Sequence, residues 1–266
     1  TLACSIVAKK LGFPIAHIEA GLRSGDRSMP EEINRVVTDS ISDFFFVTEA
    51  SGIEHLRQEG KPDTAVFHVG NVMVDNLLFE ISKLDATADP DQAYQAGGNG
   101  KPFGIVTLHR PSNVDDGRVL MRIVSALSEI SVQLPLLFPV HPRTNAALQR
   151  FGVTFPDTVT LTAPMGYREF LNLWRDATLI LTDSGGLQEE STALGVPCLT
   201  LRENTERPIT ISEGTNKLVG TDPKVIVSEA RKIIEKPADE TRLRRPELWD
   251  GKASGRIVAV LESLLL

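Results

Sequence analysis

The sequence predicts an α/β protein made of two Rossmann-like parallel-sheet domains, the first of them incomplete. Three observations carry that prediction. Short β-rich runs alternate with longer helical periods along almost the whole chain, the pattern of parallel βα units. The alternation breaks once, in "DATADPDQAYQAGGNGKP", which is rich in Pro, Gly, Ala and Asp and has no sustained periodicity, and then starts again. The first element, "TLACSIVAKKLG", reads as a helix closed by Gly12, whereas an α/β domain ordinarily opens on a strand.

Taken in order, the first domain should contain strands at "PIAHIE" (residues 14–19), "FFFVT" (44–48) and "AVFHVG" (65–70). Between the first two lies the clearest helix, "PEEINRVVTDSIS", with Pro30 in its first turn and two carboxylates near the positive end of its dipole. After the break come five strand candidates, "FGIVTLHR", "PLLFPVHP", "TVTLTAP", "TLILTDS" and "PCLTLR", separated by helical stretches. The last segment, "GKASGRIVAVLESLLL", reads as an amphipathic helix that needs a partner surface. The expected organisation is residues 1–85 as the C-terminal half of a first domain, 86–102 as a linker, 103–250 as a second domain, and 251–266 as a helix packing back towards the first. The chain reads as the C-terminal part of a longer protein.

The 266 residues are 41% hydrophobic, enough for one large or two modest cores. A formal charge of -7 argues against a nucleic-acid-binding body, so an anionic ligand would have to be held locally. Cys4 and Cys198 stand far apart and outside any C-x-x-C spacing, which suits a reducing cytoplasm better than a disulfide framework or a zinc site. No apolar run approaches the roughly 20 residues that span a bilayer, and no charged-then-apolar leader precedes the first element, so neither membrane insertion nor secretion is expected.

Open parallel sheets bind ligands beyond the carboxyl ends of their strands, and the chemistry-bearing residues collect there. In "LTDSGGLQEES" a strand ends and Ser184, Gly185 and Gly186 open a helix whose first N–H groups have no intrahelical acceptor. Bare backbone there lets a phosphate approach, and Glu190, one turn on, can accept from ribose hydroxyls, which together suggest a nucleoside diphosphate. The same glycine pair would equally serve tight strand-to-helix packing. "VTLHRPSN" sets His109 and Arg110 at another strand end, and "RENTERP" sets Arg202 and Arg207 around a third. His141, before a proline, reads better as a hydrogen-bonded loop residue. In "HIEAGLRSGDRSMPEEINR", Glu19 ends a strand and Glu31 starts a helix. Both are acid/base candidates, weighed against a salt bridge from Arg23 or Arg27 for Glu19 and helix-dipole compensation for Glu31.

"HIEAGLRSGDRSMPEEINR", "HVGNVMVD", "VTLHRPSN", "LTDSGGLQEES" and "RENTERPITISEGTNKLVG" occur in this order over most of the first 220 residues, and with them the chain resembles the UDP-N-acetylglucosamine 2-epimerases, chiefly the non-hydrolysing kind. The resemblance implies two domains facing a cleft in the manner of GT-B glycosyltransferases, no metal or other cofactor, and interconversion of UDP-GlcNAc and UDP-ManNAc through loss and re-addition of UDP. It implies catalytic roles for Glu19, Glu31 and His109. It implies UDP contacts from Ser184, Gly185, Gly186, Glu190 and Arg207, with Phe170 beside the uracil unless that ring is a core aromatic. It also makes a cytoplasmic homodimer the expectation. Family members carry a "GTRPE"-like loop and a "GD" motif ahead of the segment that begins here, so the resemblance implies a chain poorly active by itself. A hydrolysing epimerase, a GT-B glycosyltransferase and a non-catalytic UDP-sugar-binding fragment stay open as alternatives.

Overall fold

The computed structural model describes residues 1–87, 101–235 and 245–265, so most of the expected linker lies outside the described residues. The described residues form two units, each with its own parallel sheet. The first unit holds Thr1–Phe79, the short segment Glu206–Ser212 and the chain from Pro246 onward. The second holds the chain from Glu80 to Thr205 and from Glu213 to Arg245. The sequence placed residues 103–250 in one body; the contacts instead group Glu206–Ser212 and the chain from Pro246 with the first unit.

The first unit's sheet contains β1 (Ala16–Ile18), β2 (Phe44–Val47) and β3 (Val66–His68) in that spatial order, all parallel. β2 is phenylalanine-rich and almost wholly buried, as a strand covered on both faces must be. The helix Ala253–Leu265 sets Ile257, Val260 and Leu261 against Phe44, Phe46, Phe67, Val69 and Val72, so its apolar stripe is used within this unit. Asp75 caps that helix, accepting from Ala253 N at 3.1 Å and Ser254 N at 2.7 Å.

The second unit contains β4 (Gly104–Thr107), β5 (Leu136–Pro139), β6 (Val159–Thr162), β7 (Leu179–Thr182), β8 (Cys198–Thr200) and β9 (Asn216–Leu218). All pairings are parallel, in the spatial order β6-β5-β4-β7-β8-β9. Five strands are those the sequence predicts. The sixth, β9, was missed because "NKL" is short, polar and carries no alternation. Leu120, Ile123 and Leu127 on the helix Gly117–Ile130 and Ile226 and Ala230 on the helix Pro223–Ile234 share one core with β4, β5 and β7. Strand order reverses between β4 and β7, and a sheet wound this way opens a crevice at that point, beyond the carboxyl ends of its strands. Among the described residues, no helix is long and apolar enough to cross a membrane.

Candidate functional site

At the switch point β7 delivers the chain into the helix Gly185–Leu194, with Ser184 as N-cap in extended conformation and Gly195 ending the helix at φ 75°. From Leu187 to Ala193 every residue is buried, while Ser184, Gly185 and Gly186 stay half-buried, so the turn itself remains accessible. Ser184 Oγ accepts from Leu187 N at 3.5 Å, a long bond that binds this cap loosely. Gln188 fixes the turn from below: its Nε2 donates to Ser184 O at 3.0 Å, and its Oε1 accepts from Thr205 Oγ1 at 2.7 Å and Asn216 Nδ2 at 3.2 Å. The unpredicted strand β9 therefore supplies a support of the anion-ready turn.

Asp183, between β7 and Ser184, is fully buried and joins this turn to the end of β4. Its carboxylate accepts from His109 N at 3.1 Å, Arg110 N at 2.9 Å and Asn113 Nδ2 at 3.2 Å, and His109 Nδ1 lies 3.0 Å from Oδ1. His109 keeps 40% of its side chain exposed. The sequence reading passed over Asp183, although its position directly before "SGG" at a strand end was the available signal. His141 caps the helix Pro142–Arg150, with Nδ1 accepting from Arg143 N at 3.2 Å, the structural role expected of it. Arg202 is buried in this unit and donates to Asn204 Oδ1 at 3.2 Å.

Glu190 is buried and accepts from the Tyr167 hydroxyl at 2.7 Å. Burial pushes its carboxyl up to about 7, with the Glu189 charge adding to the shift and the Tyr167 bond opposing it. Tyr167 begins the helix Tyr167–Trp174, whose Leu171, Leu173 and Trp174 are buried. Phe170 is half-buried and lies on the side of the helix that carries Tyr167 one turn before it and buried Trp174 one turn after it. Tyr167 is a second residue that the sequence reading did not single out.

In the first unit Glu19 follows β1 at φ 65°, the left-handed region that side chains other than glycine's rarely adopt. The turn behind it is tightly fixed. Gly21 has φ 78°, and a Cβ there would stand 2.3 Å from the Gly52 carbonyl oxygen. Gly21 N donates to Asp39 Oδ2 at 3.1 Å, and His55 Nδ1 meets Gly21 O at 2.8 Å. Buried Asp39 also pairs with His17 Nδ1 at 2.5 Å and with Arg23 Nη2 at 2.7 Å. Burial alone would raise the Asp39 carboxyl, but His17 and Arg23 hold it below the usual range. Arg23 is therefore committed to Asp39 and Glu59, and the ion pair of Glu19 is with Arg207, Nη2 to Oε2 at 3.9 Å. Arg207 comes from the Glu206–Ser212 segment, so the structure places it beside Glu19 in the first unit.

The adjacent carboxylates of "PEEINR" divide their work. Glu32 is buried and accepts from Ser24 N at 2.9 Å and Gly25 N at 3.0 Å, which pins the loop ahead of the helix Pro30–Ile41. Glu31 is exposed, and with Glu19, His17, Asn34 and Arg35 it lines one depression of about 300 Å³. The two acid/base candidates thus meet in one pocket of one unit. Among the described residues, no group of three or more His, Cys, Asp or Glu side chains could hold a metal ion.

A family model described as UDP-N-acetylglucosamine 2-epimerase matches residues 1–262. A UDP-N-acetylglucosamine 2-epimerase of Methanococcus maripaludis is 40% identical over 263 residues, covering 97% of this chain and 70% of that protein. A UDP-2,3-diacetamido-2,3-dideoxy-D-glucuronate 2-epimerase of Pseudomonas aeruginosa is 41% identical over 268 residues, covering 99% and 72%. Among solved structures, the Methanocaldococcus jannaschii UDP-GlcNAc 2-epimerase in complex with UDP-GlcNAc and UDP is similar at TM-score 0.88 and 39% identity, over 98% of this chain and 72% of that one. The Neisseria meningitidis UDP-GlcNAc 2-epimerase bound to UDP-GlcNAc is similar at TM-score 0.88 and 31% identity, over 99% and 73%.

Proposed function

We propose a reaction from one established premise: the chain belongs to the UDP-N-acetylglucosamine 2-epimerase family. It is a nucleotide-sugar isomerase that interconverts UDP-GlcNAc and UDP-ManNAc by eliminating UDP and adding it back. The chemistry demands that order. The C2 proton of an N-acetyl sugar is not next to a carbonyl, so no carboxylate removes it at a useful rate until something acidifies it. Breaking the bond between C1 and the diphosphate oxygen sends the electron pair to UDP and builds oxocarbenium character at C1, which acidifies C2–H. In this reading the Ser184–Gly186 turn and His109 stabilise the departing diphosphate. One carboxylate takes the C2 proton to give 2-acetamidoglucal, an acid on the other face returns a proton, and the diphosphate oxygen re-adds to C1. Acid/base groups of this kind each contribute about 10²- to 10⁴-fold.

The observation that carries this reading is the meeting of Glu19 and Glu31 in one depression. Arg207, 3.9 Å from Glu19, would orient that carboxylate. Glu190 would accept from the ribose hydroxyls, and Phe170 would lie along the uracil. The test is turnover of UDP-GlcNAc in D₂O by a chain that also carries the family's preceding "GTRPE"-like and "GD" segments: the expected product is UDP-ManNAc carrying one deuterium at C2, with the same label entering recovered substrate. Free ManNAc with UDP would instead establish the hydrolysing reaction, and no turnover or label would overturn the proposal.

One observation favours a second substrate. The Pseudomonas aeruginosa relative, at 41% identity, acts by its name on a sugar with a second acetamido group at C3 and a carboxylate at C6. Comparing kcat/KM for that nucleotide sugar and for UDP-GlcNAc decides between them.

A further inference from the structure

Asp183 is fully buried, and its two oxygens are held from the end of β4 and the helix that follows. His109 N lies 3.1 Å from each oxygen and Arg110 N 2.9 Å from Oδ2. Asn113 Nδ2 donates to Oδ2 at 3.2 Å and to Leu201 O at 2.9 Å, so this donor is itself fixed. A carboxylate so placed cannot rotate without breaking several bonds. The remaining polar neighbour is the His109 ring, Nδ1 to Oδ1 at 3.0 Å.

We propose that Asp183 is a positioning residue of the reaction, fixing His109 in the tautomer and orientation that turn Nε2 towards the leaving diphosphate. An ionised carboxylate only accepts hydrogen bonds, so Nδ1 carries the hydrogen that joins the pair. In the neutral ring Nε2 then holds the lone pair. When the ring is protonated, Nε2–H is a cationic donor and the buried carboxylate balances its charge. Nε2 lies on the ring edge opposite Nδ1, and the side chain keeps 40% of its surface open. As the C1–O bond breaks, the protonated ring donates through Nε2–H to the diphosphate oxygen that takes the electron pair; on re-addition the same oxygen returns the pair to C1. Orientation by a buried carboxylate behind a histidine is the device by which other enzymes hold an imidazole to one task. The inference rests on the proposed epimerisation for the reaction that His109 serves; the pairing itself rests on geometry alone.

The test uses ¹⁵N-histidine-labelled protein and the variant Asp183→Asn. In the wild type, the His109 ring should give the Nδ1–H signature at pH 8. In the variant the amide oxygen can keep the backbone donors while its nitrogen faces Nδ1, so the hydrogen should move to Nε2. Turnover should fall about a hundredfold, because a neutral Nε2–H replaces the cationic donor that the Asp183 carboxylate balances, with KM changed less than threefold. Introduced beside His109→Gln, Asp183→Asn should lower kcat no further. An Nε2–H signature in the wild type would overturn the proposal, and that spectrum decides the pairing even if the variant does not fold. Undiminished kcat in a folded variant with the switched tautomer would overturn it as well, as would a loss that only raises KM and lowers thermal stability. Inertness towards UDP-GlcNAc of a chain that also carries the family's preceding segments would count against the proposed function, while the tautomer would still decide the pairing.

Discussion

Tyr167 donates its hydroxyl hydrogen to Glu190 across 2.7 Å, and that bond is the polar anchor of a carboxyl otherwise buried in the second unit. A lone phenol does not offset the loss of water around a charge. Burial therefore dominates and sets the Glu190 carboxyl at about 7, against 4.5 for the free side chain.

This raised value makes stability depend on pH with a definite sign. The folded chain holds the Glu190 proton when the unfolded chain has already lost it, so stability falls as pH rises from about 4.5 through about 7. The total effect is on the order of 3 kcal/mol. Glu190→Gln, which has no charge to bury, should be more stable than wild type at pH 8 and lose that advantage at pH 4. Thermal unfolding at both values measures it; equal differences at the two would show that burial does not strain this carboxyl.

A ribose ligand and a core polar group respond differently to truncation. If Glu190 accepts from the sugar hydroxyls, Glu190→Ala should weaken UDP binding in calorimetry by about tenfold or more, since it strands those hydroxyls at a desolvated contact. An unchanged dissociation constant removes the assignment and leaves Glu190 as a partner of Tyr167 alone.

Glu31 and Glu32 allow a paired comparison inside one motif. Glu31→Gln should suppress deuterium uptake at C2 by about 10²-fold or more while leaving UDP affinity and unfolding nearly unchanged. Glu32→Gln should cost about 1–3 kcal/mol of stability, because the bonds from Ser24 N and Gly25 N go to different oxygens and the amide keeps only one, leaving the other N–H facing an NH₂ that cannot accept. Burial would raise the Glu32 carboxyl, but those two N–H donors and Arg35 keep it below 4.5. The stabilisation it supplies is thus present above that value and lost as pH falls through the lower folded one. Normal isotope exchange in Glu31→Gln would reduce Glu31 to a helix-dipole residue.

The legible part of this molecule was what local pattern determines. Eight of the strands announced themselves as apolar runs at βα spacing, and Pro30 and Gly12 marked helix ends correctly. β9 did not, because an edge strand of Asn, Lys and Leu is held by pairing with β8 and by Asn216, both long-range facts. The motifs exposed Glu19, Glu31, His109 and the Ser184 turn, but not what each side chain touches. Arg207 looked like a neighbour of Arg202 because only four residues separate them; folding assigns it to the first unit beside Glu19. Asp183 was overlooked because its role depends on β4 and β7 lying side by side, which the parallel crossover creates and the linear order hides.

Glu19 offers the sharpest separation of stability from catalysis. Its φ of 65° costs roughly 1–2 kcal/mol for a residue with a Cβ, against which stands only a long ion pair with Arg207 at 3.9 Å. The strain persists because Gly21, locked against Gly52 and bonded to Asp39, leaves the chain no other path. Glycine relieves that strain but widens the unfolded ensemble, so the two effects partly cancel. Glu19→Gly should therefore unfold within about 1 kcal/mol of wild type, on the stable side, while losing turnover by 10²-fold or more. Glu19→Gln should lose comparable turnover without any gain in stability, since it keeps the strained backbone. Denaturant unfolding and deuterium exchange on the same preparations read both quantities. A Glu19→Gly protein that still exchanges C2 hydrogen at the wild-type rate would show that the strained residue serves the turn and not the chemistry.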